Sequence, residues 1–177
     1  GYLGILVGSA AGVRAVAEGT GFTSQNSKLN NAGEVVYFSN VGESVFKHTT
    51  AGGSVRIFGR GDVVFGSIIN GAGILIRDLN DAGDVLFSAS IQSGGSALFR
   101  KRGDDPSHVA EDDDLIAKTG DVAPGIAGRT IGGIANASMD AAGNVAFLGN
   151  LAGGPTASGV FRTMAGQPLA KVAADGD

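Results

Sequence analysis

The sequence predicts an all-β chain made of tandem four-stranded antiparallel units. Three observations predict it. A turn-and-strand motif recurs three times, two further landmarks follow each copy in a constant order, and no segment carries a capped helical period. Self-similarity at a period of 50 to 60 residues is the signature of a repeat architecture and has to be read before any single element.

The first landmark is Leu29-Asn-Asn-Ala-Gly-Glu-Val-Val-Tyr-Phe38, Leu79-Asn-Asp-Ala-Gly-Asp-Val-Leu-Phe87 and Met139-Asp-Ala-Ala-Gly-Asn-Val-Ala-Phe147. Its glycines, Gly33, Gly83 and Gly143, stand 50 and 60 residues apart. Asn or Asp opens a type I turn, and Gly takes the following left-handed position, which costs it no Cβ clash. After the turn, Val35 and Tyr37, Val85 and Phe87, and Val145 and Phe147 alternate with other residues. Period two predicts strands with one strongly buried face.

The second landmark is a short apolar strand ending in a base: Ser44-Val-Phe-Lys47, Ala97-Leu-Phe-Arg100 and Gly159-Val-Phe-Arg162. The third closes each unit on Gly-Asp, at Asp62, Asp121 and Asp177. From Phe to closing Asp the spacing is 16, 22 and 16 residues. The long middle case holds an acidic insertion, residues 103–114, which belongs on a loop. Gly4-Ile-Leu-Val and Gly12-Val-Arg-Ala-Val-Ala-Glu-Gly19 match Gly159-Val-Phe-Arg and the segment Leu169 to Gly176, so residues 1–19 read as half a repeat. Full repeats follow at 20–62, 63–121 and 122–177 in a single array. The leading half predicts that the array needs a neighbour or further repeats.

Within the third copy four apolar runs appear, Ile131 to Ser138, Asn144 to Gly149, Gly159 to Thr163 and Leu169 to Ala173, separated by turn residues. Four antiparallel strands every 50 to 60 residues is the blade size of a β-propeller, for which the kelch period is about 50. The competing architecture is an open stacked array of sheets or a sandwich.

These units resemble the bacterial tandem-repeat proteins described by an N-x-x-G-x-x-A-F repeat. The resemblance rests on Asn30 to Gly33 with Val35 to Phe38, Asn80 to Gly83 with Val85 to Phe87, and Asp140 to Gly143 with Val145 to Phe147, plus the Gly-Asp closures. It departs from the pattern where copy three carries Asp140 and copy one carries Val36-Tyr37. It implies an extracellular or cell-surface location and a β-propeller-like architecture, and it assigns no chemistry to individual residues.

Composition narrows the function classes. Glycine supplies 31 of 177 positions and proline 4, so the glycine excess serves turns and is not low complexity. With 43% hydrophobic and 17% charged residues the chain can bury a core. The net charge is −4, and the one basic run, Arg100-Lys101-Arg102, is followed at once by Asp104 and Asp105, so no nucleic-acid footprint exists. There is no cysteine, hence no disulfide, thiolate metal site or thiol catalysis. No run reaches the roughly 20 apolar residues that a membrane-spanning helix needs.

Chemistry is sparse. Asp104, Asp105, Glu111, Asp112, Asp113 and Asp114 crowd the inserted loop and could supply several oxygens to Ca²⁺, although the alternating spacing of a calcium loop is missing. The ordinary alternative is a solvated acidic loop. No other cofactor is expected. His48 and His108 lie in different repeats outside any ligand spacing and are expected at the surface. No G-x-S-x-G elbow is present and no catalytic residue is expected. Asp62, Asp121 and Asp177 recur, which argues for a role in the fold. The Arg-Gly-Asp tripeptide at 60–62 falls on such a closure, while the one at 102–104 falls on the insertion.

The leading expectation is therefore a non-enzymatic extracellular scaffold for protein or carbohydrate binding or for envelope structure. A self-assembling fibre or oligomer joined through edge strands is the first alternative. A propeller-type hydrolase or lyase with a site at the central mouth is the second.

Overall fold

The computed structural model describes residues 3–9, 12–19, 22–49, 51, 53–105, 110–155, 157–164 and 167–177. Their order is β1 (Leu3–Ser9), β2 (Gly12–Gly19), β3 (Phe22–Leu29), β4 (Val35–Ser39), β5 (Ser44–His48), β6 (Ser54–Gly59), β7 (Val63–Val64), β8 (Ser67–Leu79), β9 (Val85–Ile91), β10 (Ser96–Lys101), β11 (Leu115–Lys118), β12 (Thr130–Met139), β13 (Val145–Ala152), β14 (Ala157–Thr163) and β15 (Ala170–Ala174). A single 3-10 turn, Asp112–Asp114, is the one helical element among the described residues. The chain is all-β.

Three antiparallel meanders follow one another. The first unit is β3-β4-β5-β6, and the third is β12-β13-β14-β15. The second is β8-β9-β10-β11 with the two-residue β7 added beside β8. The β1-β2 hairpin stands before them as its own two-stranded sheet. Tandem four-stranded units are thus what the chain forms, and among the described residues unit one packs on unit two, unit two on unit three, and no ring closes.

Each meander is shaped by the same irregularity. Register shifts fall between Val45 and Phe46, Leu98 and Phe99, and Val160 and Phe161, where the third strand meets the fourth. The extra residue at each bulge is Ile57, Ile116 or Val172. A bulge at a constant position bends every sheet in the same place and strengthens its twist.

Two cores lie between consecutive units. In the first, Val36, Val45 and Phe58 of unit one meet Val85, Phe87 and Phe99 of unit two. The ring of Phe58 sits 4.6 Å from Phe87 and 5.4 Å from Phe99, within the range of favourable aromatic pairs. In the second, Leu86, Leu98 and Ala117 of unit two meet Ile131, Val145, Phe147 and Phe161 of unit three. Successive residues of β9 therefore serve different cores: Val85 and Phe87 point back, and Leu86 points forward.

This corrects the expectation of one buried face. β4 is buried along its whole length and β9 nearly so, because a neighbouring unit covers each side of the sheet. Of the three strands that follow the turns, only β13 keeps the alternation, with Val145, Phe147 and Leu151 buried and Ala146 and Asn150 exposed. The difference is tertiary: Leu98 is fully buried beneath unit three, while its counterpart Val160 is 37% exposed.

Leu98→Ala should therefore cost about 2–5 kcal/mol, the range for a buried leucine left as a cavity. Val160→Ala should stay within about 0.5 kcal/mol. Urea unfolding followed by circular dichroism checks both, and equal costs would mean that unit three does not cover Leu98 as the packing shows.

Candidate functional site

The three Asn/Asp-x-Ala-Gly turns stack into a ladder along one edge of the array. In the first, Asn30 Oδ1 accepts the Glu34 N–H at 2.9 Å and Gly33 N–H donates to the Asn30 carbonyl at 3.1 Å. Gly33, Gly83 and Gly143 have φ of +78°, +83° and +78°, the left-handed region that favours glycine. The same Asn30 side chain reaches onward, its Nδ2 donating to the Asn80 carbonyl at 2.9 Å. Asn80 repeats both acts: its Oδ1 accepts the Asp84 N–H at 2.9 Å, and its Nδ2 donates to the Asp140 carbonyl at 3.3 Å.

A second rail runs beside the first. Lys47 Nζ donates to the Gly83 carbonyl at 2.9 Å and pairs with Glu34 at 3.1 Å. Arg100 donates to the Gly143 carbonyl in the equivalent place. The basic residue that ends the second landmark in units one and two is thus a clamp on the turn of the following unit. Asn31 adds two bonds to the Asp81 carboxylate, both 2.9 Å, from its backbone N–H and its side-chain amide.

At the third rung the polar pair is exchanged. Asp140 is the acceptor, taking N–H groups of Ala142 and Asn144 and the Asn144 side-chain amide, while the amide donor sits at Asn144. Arg162, the counterpart of Lys47 and Arg100, is exposed, and its guanidinium has no hydrogen-bond or ion-pair partner among the described residues. A cleft of about 340 Å³ opens there, lined by Met139, Asp140, Asn144, Ala146, Arg162 and Met164 among others.

The closing aspartates have a fold role. Asp62 Oδ2 accepts the Gly59 N–H at 2.9 Å, Asp121 Oδ2 accepts the Lys118 N–H at 2.8 Å, and Asp177 Oδ2 accepts the Ala174 N–H at 2.7 Å. Their other oxygens face Arg56, Lys118 and Lys171. The Arg-Gly-Asp tripeptide at 60–62 is consumed by this cap, with Arg60 paired to Glu43. In the tripeptide at 102–104, Arg102 and Asp104 pair with each other at the surface.

The acidic insertion is organised around an ammonium group. Lys101, only 3% exposed, pairs with Asp105 at 2.5 Å and Asp114 at 3.2 Å. Burial works against its charge, but the two carboxylates outweigh that and raise its pKa. Asp104 is held by Arg102, Asp112 accepts the Phe65 N–H, and Glu111 and Asp114 form a reciprocal cap on the 3-10 turn. The backbone of Asp113 lies in that turn. No three acidic or histidine side chains converge on a common cation position among the described residues.

His48 departs from the surface position expected of it. It is 8% exposed at the end of β5, with Nδ1 3.2 Å from the Ser54 hydroxyl, because its strand is paired on both sides by β4 and β6. His108 lies outside the described residues. The clamp made by Lys47 and Arg100 escaped sequence reading, although the constant base after each Phe was its visible signal.

Replacing Asn80 by Ala should cost about 1–3 kcal/mol, since it removes part-buried hydrogen bonds to two turns, one to the Asp84 N–H and one to the Asp140 carbonyl. The check is the denaturant midpoint, which Asn31→Ala at the exposed edge should move far less. A pH effect follows from three carboxyls. Asp81 is held below the ordinary carboxylate range by the Asn31 side chain and then its N–H, Asp140 by Asn144, and Asp177 by Lys171 and the Ala174 N–H. A depressed folded value means stability that is present above about pH 3.9 and lost as pH falls through the folded values. Thermal midpoints should decline between about pH 5 and pH 2, less steeply in Asn31→Ala.

A model for a family of unknown function (DUF7453) matches residues 79–177, which begin at the second rung of the ladder and run through the third unit. No curated protein and no solved structure matches. With more than half of its length matched, including two of the three turns and the clamping Arg100, the chain belongs to the DUF7453 family.

Proposed function

We propose that this chain is a non-enzymatic extracellular repeat scaffold that binds protein through the outer face of its third unit. One observation carries the reading. Val160 and Val172 are 37% and 55% exposed beside Arg162, on a face whose counterparts Leu98 and Ile116 pack into the core between units two and three. Aliphatic side chains around an arginine whose guanidinium has no partner among the described residues suit a protein surface, because apolar burial supplies affinity and a guanidinium anchors a carbonyl or carboxylate.

Carbohydrate is the weaker ligand class. Sugar platforms stack on exposed aromatics, and of the nine Phe, two Tyr and no Trp in the chain, Phe38, Phe58, Phe87, Phe99, Phe147, Phe161 and Tyr37 are buried. The extracellular setting is supported by the likeness of the turns to the N-x-x-G-x-x-A-F repeat.

The test compares the full chain with Val160→Asp and Val172→Asp, immobilised and presented separately with a glycan panel and with extracellular proteins. Protein binding that falls at least tenfold in both variants, with circular dichroism and thermal midpoint unchanged, is the expected result. Glycan binding that survives both substitutions, or turnover of a hydrolase substrate panel, would overturn it.

A further inference from the structure

The outer face of the third unit repeats, residue for residue, surfaces that are closed in the units before it. Lys47 and Arg100 each donate to the carbonyl of a turn glycine in the next unit, Gly83 and Gly143. Arg162 occupies the same strand position and is exposed, its guanidinium without a partner among the described residues. Val45 and Leu98 are fully buried under the next unit, while Val160 is not. Ile57 and Ile116 at the bulge pack into the following core or against it, and Val172 at the third bulge is exposed.

The main chain makes the same statement. Gly61 N–H donates to the Ile69 carbonyl at 3.1 Å while Ile69 N–H returns to Asp62 at 2.9 Å, which ties the end of unit one to the first strand of unit two. Gly120, Ile131 and Asp121 make the equivalent exchange, both bonds 2.8 Å. Gly176 has φ of +91°, close to the +87° of Gly61 and +94° of Gly120, so the third closure is already shaped for that exchange.

We infer that this face is the acceptor for one more four-stranded unit of the same repeat, whose turn glycine carbonyl receives Arg162. The inference rests on the reading of this face as a protein-binding surface and names its occupant. A second copy of the chain fits less well, because its first full unit already has β1 beside β3 where the contact would form. In arrays of this kind stability is close to a sum of units and nearest-neighbour interfaces, so an added interface is readable as a shift of the whole transition.

The experiment extends the full chain at Asp177 with a second copy of residues 122–177. The expected result is one cooperative unfolding transition with a higher denaturant midpoint than the unextended chain. Val160→Asp and Arg162→Ala should leave the unextended chain nearly unchanged and lower the midpoint of the extended one, and Arg162→Lys should restore it, since Lys47 performs that role in unit one. Two separate transitions in the extended chain, or variants neutral in both chains, would overturn the inference. So would an unextended chain that sediments as a dimer dissolved by Val160→Asp, which assigns the face to a second copy. Failure to stack, with foreign protein still bound in a Val160-dependent way, removes this inference alone and leaves the broader reading standing.

Discussion

The asparagine amide of the turn is the interaction on which the rest of the array depends. Asn30 closes its own hairpin through Oδ1 and spends its Nδ2 on the carbonyl of Asn80, 50 residues further along the chain. Asn80 does the same to Asp140 across 60 residues. One side chain is thus both a local turn device and a long-range contact, and only a residue with an acceptor and donors on one short stem can be both. Because the hairpin and the stack are set by the same group, the strands that leave each turn arrive in register with their neighbours.

That register lets a sheet be buried on both sides. The middle unit sends Val85 and Phe87 into one core and Leu86 and Leu98 into another, so four-stranded meanders too small to hold a core alone share two between three units. The repeated bulge opposite the third strand keeps the bending of each sheet equal, which stacked faces require. Where the stack stops, the same pattern is half wet, and the chemistry of the outer face is the chemistry of an interface.

The charged groups serve this geometry. Glu34 with Lys47, and Asp105 and Asp114 with Lys101, neutralise bases that lie at or near unit boundaries, where an unpaired charge would be costly. The closing aspartates cap the fourth strand through a backbone N–H three residues back, and each turns its other oxygen to a base on its own strand.

The sequence by itself determined the repeat, its turn, the order of the strands and the recurrence of Asp62, Asp121 and Asp177 at the unit ends, because each depends on residues close together in the chain. Left-handed glycines and amide-capped hairpins are short-range physics and leave a short-range signature. Only the tertiary structure decided which faces are wet. Val36, Leu86 and Ala146 stand at one position of one motif, and two are buried and one exposed for no reason carried by their neighbours in sequence. The burial of His48, the gathering of the acidic insertion on Lys101, and the reach of Lys47 and Arg100 to a glycine carbonyl in the next unit were likewise decided by packing between elements far apart in the chain. A base after each phenylalanine was legible as a pattern; that it clamps the following turn depends on where the following unit lies.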